Sequence, residues 1–158
     1  MTTRHFDSNV LIDYQAGIPE AIAAIDACDH PVISKIVHIE VMVGCKYDKS
    51  VPKLVDGRTP DEKDVNFSTL VAAAEARTLA WISSTFTVLP ISDAIADFSV
   101  QVRKQTNQAL PDTIVHATAM MAGKNIITRN VSDFPALMLP PAGYRNILVI
   151  SPYGISHP

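Results

Sequence analysis

No apolar run in this chain approaches the roughly 18 residues that a membrane span requires, so no contact with the bilayer is expected. The opening residues, MTTRHFDSNV, carry no apolar core of the kind found in a secretory signal, and export is not expected either. Cysteine is scarce. Cys28 and Cys45 have neither metal-ligand nor redox spacing, and they read as reduced core thiols of a cytoplasmic protein. A basic surplus is also missing, since the net charge is -3. That counts against broad, non-specific nucleic-acid binding, while leaving room for a local basic rim around an acidic site. Internal repeats and low-complexity segments are absent.

What is present is an ordinary globular composition, 47% hydrophobic and 18% charged over 158 residues. That length suits a single domain, 1–158, able to bury a core without disulfides or a structural metal. Strand-like apolar runs alternate with helical ones. Residues 4–7, RHFD, read as a first strand and 19–27 as a helix with Pro19 in its first turn. Residues 31–34 are a second strand, and Ser34 can cap a helix carrying Ile36, Ile39, Glu40 and Val43 to about Gly44. Residues 46–66 break the pattern with charges, Pro52, Gly57 and Pro60, and read as a long exposed loop.

A helix is expected over 68–85, a strand over 86–91, and then a helix capped by Ser92. The next helix opens at Leu110-Pro111-Asp112 and stops at Gly123. Residues 125–129 and 147–150 are the last strands, and their unalternated apolar character suggests burial on both faces. Such alternation predicts an α/β domain with a mainly parallel central sheet flanked by helices.

In parallel sheets, sites lie at the carboxyl ends of the strands. Asp7 ends the first strand, and Asp133 follows the fourth. Glu40 lies early in the helix that leaves strand two. Asp112 opens the helix that runs back to the start of strand four, so it too belongs at the carboxyl edge. Singly, each has an ordinary explanation as a cap, a turn residue or a solvated acid. Together they form a cluster that would repel itself unless protonated or bound to a cation. Hard oxygen donors select Mg²⁺ or Mn²⁺, which lower the pKa of bound water and screen phosphate charge. Ser8, Asn9, Thr128 and Asn130 stand nearby as polar support.

Four segments, FDSNVLIDY, ISKIVHIEV, LPDTIVHATAMMAGKNIITRNVSDF and ILVISPY, occur in an order that resembles the PIN-domain family. The likeness is strongest to the VapC-type ribonuclease toxins of toxin–antitoxin pairs. It covers residue 4 to about 153, apart from 46–66. The resemblance implies a PIN-like three-layer fold and Mg²⁺- or Mn²⁺-dependent cleavage of RNA by an activated water. It implies Asp7, Glu40 and Asp112 as the main acidic metal-site residues, with Asp133 as the fourth and Asn9, Thr128 and Asn130 in support. It also implies a cognate antitoxin and a homodimer, for which the 68–85 helix with Trp81 and Ile82 offers an apolar face, or equally a piece of intramolecular core.

The chain departs from the family pattern at Val37, where a Thr is usual, and at His38 and His116. His116 falls one turn after Asp112 and reads either as a partner or proton shuttle of the site, or as a core histidine. Arg129 could contact phosphate or simply pair with a carboxylate. Asp13, Asp93 and Asp97 read as ordinary helix-start or surface acids. Two other functions compete. A haloacid-dehalogenase-like phosphohydrolase would want a second Asp where Asn9 stands, and a non-catalytic PIN-like binding module would tolerate loss of a carboxylate.

Overall fold

Five short strands are the frame on which every candidate residue is hung. The computed structural model describes residues 2–45 and 67–154, so the charged stretch 46–66 lies outside the described residues. Strands β1 (Thr3–Phe6), β2 (His30–Ser34), β3 (Thr87–Leu89), β4 (Asn125–Ile127) and β5 (Val149–Ile150) pair in the order β3-β2-β1-β4-β5. All four pairings are parallel. The chain winds outward from β1 through β2 to β3, then crosses to β4 on the other side of β1. The strand order therefore reverses between β1 and β4, and that is where an open parallel sheet has a crevice at its carboxyl edge.

Helices α1 (Ser8–Gln15), α2 (Pro19–Asp26), α3 (Lys35–Gly44), α4 (Phe67–Thr85), α5 (Asp93–Gln105) and α6 (Leu110–Ala122) flank the sheet. The Ser34 hydroxyl accepts the Val37 N–H at 3.4 Å, and the Ser92 hydroxyl accepts that of Ile95 at 3.2 Å. These caps satisfy N–H groups that have no partner within their own helices. Gly123, at φ 65°, ends α6 in the left-handed region that suits glycine.

The main core joins Phe6, Leu11, Ile33, Val37, Ile82 and Ile126, and a second cluster packs Ile95, Phe98 and Val102 of α5 against Met120 and Leu137. Trp81 stacks on Tyr14 at 4.7 Å and meets Phe86 edge-on at 5.3 Å, so the apolar face of α4 is used inside the molecule. Cys28 and Cys45 are buried free thiols, as expected.

Several local expectations change, and the strands expected over 86–91 and 125–129 shorten to Thr87–Leu89 and Asn125–Ile127. Residues 8–15, to which the sequence reading assigns no element, form α1. Asp7 is its cap, accepting the Ser8 N–H at 2.8 Å, and Val10 and Leu11 are buried on its inner face. The last strand is shorter than 147–150 and only half-buried, because β5 is an edge of the sheet.

His5 in β1 is fully buried, and neither ring nitrogen has a hydrogen-bond partner. Burial pushes its pKa from 6.5 down to about 3. The unfolded ring takes a proton near pH 6.5, whereas the folded ring stays neutral far below that. Stability held above that pH is therefore lost as pH falls, by up to about 1.4 kcal/mol per unit. His5→Leu removes two unsatisfied nitrogens and should stabilise the fold by about 1–3 kcal/mol at neutral pH. The gap should widen on acidification. Urea unfolding at pH 7 and pH 5 checks both, and equal or lower stability of the variant at both values would contradict the assignment.

Candidate active site

The carboxyl end of β1 carries Asp7 into the crevice beside β4. The ladder continues one residue beyond the strands, with the Asp7 N–H donating to the Ile127 carbonyl at 3.0 Å. The Asp7 side chain is buried and well supplied with donors. Its Oδ2 accepts from Thr128 Oγ1 at 2.8 Å and from Asn9 Nδ2 at 3.1 Å, while Oδ1 accepts from Ser8 N. Asn9 also donates to Thr128 Oγ1 at 3.2 Å and accepts the Arg129 N–H on its Oδ1 at 3.1 Å. The Asn130 N–H donates to Thr128 Oγ1. Asn9 thus stitches α1 to the segment after β4, which explains an amide rather than a second acid at this position.

The other carboxylates converge on the same place. Glu40 on α3 accepts a hydrogen bond from the Ser8 side chain and feels the charge of Asp7. Asp112, in the first turn of α6, feels Asp7, Asp133 and Glu40. Asp133, in the 3-10 turn Val131–Asp133, raises the pKa values of both Asp7 and Asp112. Burial is the leading cause at each shifted group, and repulsion adds to it. Asp7 and Glu40 are pushed up, and Asp112 reaches about 6. The four acids predicted from sequence thus stand near enough at the carboxyl edge of the sheet to influence one another's charge.

Asp7 gains some relief from Arg129, whereas no cation among the described residues offsets Asp112 or Glu40. Hard oxygen donors with uncompensated negative charge are the set that suits a divalent cation. Among the described residues, no three His, Cys, Asp or Glu side chains stand close enough to form a finished cage.

Arg129 is held by a residue read from sequence as an ordinary acid. Asp13 on α1 is buried and takes Arg129 Nε at 3.1 Å, with a second, shorter bond from Nη2. The Tyr153 hydroxyl donates to the same carboxylate. Burial works against ionising Asp13, but these donors hold it below the ordinary carboxylate range. The Arg129 side chain remains 49% exposed beside the crevice. Asp93 and Asp97 are exposed, as expected.

His116 is buried, meets Phe134 edge-on at 5.9 Å, and receives Gln108 Nε2 on Nδ1 at 3.0 Å. Burial lowers its pKa to about 4, so the ring is neutral. Gln108 also donates to the Asp133 carbonyl at 2.8 Å and links α6 to the turn that carries Asp133. Sequence reasoning missed both Gln108 and Tyr153. Gln108 lies outside the family-like segments, Tyr153 closes ILVISPY without a role being read from it, and only the folded chain brings them to the site.

A PIN-domain family model matches residues 5–136. A toxin–antitoxin complex from Klebsiella pneumoniae contains a chain 33% identical, with a TM-score of 0.67, matching 96% of this chain and 99% of that one. A DNA-bound VapBC from Salmonella typhimurium is 18% identical at a TM-score of 0.61, over 97% of this chain and 100% of that one. VapBC2 from Rickettsia felis, bound to a promoter DNA fragment, is 12% identical at 0.60, over 95% and 98%. No curated protein matches the chain. PIN domains are nucleases and generally depend on divalent metal ions. The chain belongs to the PIN-domain family.

Proposed function

We propose that this protein is a metal-dependent endoribonuclease that acts in the cytoplasm as the toxin of a toxin–antitoxin pair, is neutralised by a cognate antitoxin, and works as a homodimer. The observation that carries the reading is the meeting of Asp7, Glu40, Asp112 and Asp133 at the β1–β4 crevice, with Asp112 pushed up to about 6. Family membership and the 33% identity to a chain of a toxin–antitoxin complex support the cellular role. No helix of the described residues is long and apolar enough to cross a membrane.

Asp7, Glu40 and Asp112, with Asp133, would hold Mg²⁺ or Mn²⁺. A bound divalent cation supplies an acidified water and screens the charge of a phosphodiester. The chain's own groups do the rest. Thr128 and Asn9 fix the orientation of the Asp7 carboxylate, and Ser8 fixes that of Glu40. Gln108 and His116 hold the turn carrying Asp133. Arg129, held by Asp13, which Tyr153 in turn steadies, would present its half-exposed guanidinium to a phosphate oxygen. Hydrolysis then joins a water oxygen to phosphorus and breaks the bond to the leaving ribose oxygen.

Expression in a bacterial host tests the cellular role. Induction should arrest growth, and co-expression of a small DNA-binding protein encoded beside this chain should restore it. Normal growth on full induction would contradict the toxin reading.

A further inference from the structure

Arg129 is rooted at the edge of the acidic crevice. Its backbone N–H donates to Asn9 Oδ1 at 3.1 Å, and the same side-chain amide donates to Asp7 Oδ2 at 3.1 Å. Thr128, its neighbour in the chain, donates to Asp7 Oδ2 at 2.8 Å. Asp7 already feels the charge of Arg129. Around Asp7 stand Glu40, Asp112 and Asp133, and no cation among the described residues offsets Glu40 or Asp112. An arginine side chain is long and samples many rotamers unless it is held. Left loose, this one would be drawn to the unpaired carboxylates and would take the place of a cation there.

Packing does not hold it, since the side chain is half-exposed. Asp13 does. Its buried carboxylate takes Arg129 Nε on Oδ2 at 3.1 Å and Nη2 on Oδ1. A two-point pair of this kind fixes both the position and the plane of a guanidinium. Tyr153 steadies the pair, because its hydroxyl donates to the same Oδ2 that receives Nε. Tyr153 lies beyond residues 5–136, which the family model matches. It is delivered by a turn after β5, in which the Ser151 hydroxyl accepts the Tyr153 N–H at 3.3 Å and donates to the Tyr153 carbonyl at 3.4 Å. The turn stays beside Arg129 because the Ile150 carbonyl accepts the Thr128 N–H at 3.0 Å. Residues from opposite ends of the chain thus converge on one arginine.

We propose that Asp13 and Tyr153 form a brace that keeps Arg129 out of the acidic crevice, so that its carboxylates stay open to a divalent cation. This rests on the metal-site reading and adds two positioning residues, neither of which touches the metal or the RNA. The brace works by preventing competition, since a guanidinium and a divalent cation cannot occupy one set of carboxylates together. It carries a sign that a merely structural pair lacks. Loss of Asp13 weakens metal binding only while Arg129 is present.

The test is Mn²⁺ binding to full-length protein purified without a partner, followed by electron paramagnetic resonance of the free ion. Asp13→Asn keeps the shape of the brace but not its charge, and should weaken binding about tenfold. Arg129→Gln should bind at least as tightly as wild type. The double variant Asp13→Asn/Arg129→Gln should return to the level of Arg129→Gln, the coupling expected of residues that act through one another. Tyr153→Phe should weaken binding by less, and Arg129→Gln should reverse that loss too. Tyr153 is only partly buried, so this second pair carries the test if Asp13→Asn does not fold. Unchanged binding in Asp13→Asn and Tyr153→Phe, or a loss that Arg129→Gln does not reverse, overturns the brace and leaves the metal site standing. A wild type that takes up no Mn²⁺ overturns both.

Discussion

Replacing Asp112 with Asn should lower RNA cleavage by at least about 1000-fold and at the same time make the metal-free protein more stable. The two effects have one cause. Asp112 sits partly buried at the opening of α6 with Asp7, Asp133 and Glu40 around it, and its pKa is about 6 rather than 3.8. Below pH 3.8 the carboxyl is neutral in folded and unfolded chains alike. As pH rises, the unfolded group ionises first, so the folded state loses stability until pH passes about 6. The full shift corresponds to about 3 kcal/mol. Asp112 is only partly buried and its charge is screened, so a gain of about 1 kcal/mol is expected from Asn at pH 7.5. The gain should vanish near pH 4. Thermal melts in chelator across that range check it, and a variant that melts below wild type at pH 7.5 would contradict the repulsive site.

Asp7→Ala should abolish cleavage to a similar degree and relieve growth arrest, but with the opposite effect on stability. Asp7 feels repulsion, yet it also accepts Thr128 Oγ1, Asn9 Nδ2 and Ser8 N, the last as the cap of α1. Alanine leaves those donors unpaired in a buried crevice. Losing the cap costs about 1 kcal/mol, and an unsatisfied buried donor costs about 1–3 kcal/mol. A net loss of about 2 kcal/mol by urea unfolding is expected. Two carboxylates of one site thus separate by sign: one is held against repulsion, and the other is held by its donors. A stabilised Asp7→Ala protein, or one that still arrests growth, would overturn the role given to Asp7.

The placement of these acids was legible in the sequence because each is tied to a local signal. Asp7 ends an apolar strand, Glu40 follows the Ser34 cap, and Asp112 stands beside the proline that opens α6. Helix α1 was not legible. Its eight residues, SNVLIDYQ, are too few to display a helical period, and Val10, Leu11 and Ile12 suit a strand equally well. Missing α1 also hid Asp13, which becomes a partner of Arg129 only once a helix turns it back toward β4. Gln108 and Tyr153 act across the fold, at separations that no local pattern encodes. His5 reads as one polar residue in a strand, and its isolation emerges only when both faces of the sheet are covered.

The most direct test of the account is cleavage of cellular RNA by purified protein in Mg²⁺, in Mn²⁺ and in excess chelator, with Asp112→Asn run in parallel. The account predicts discrete cuts with either metal for the wild type, none in chelator, and none for the variant under any condition. Full cleavage in chelator, or by Asp112→Asn, would contradict a divalent-metal site built from Asp7, Glu40, Asp112 and Asp133.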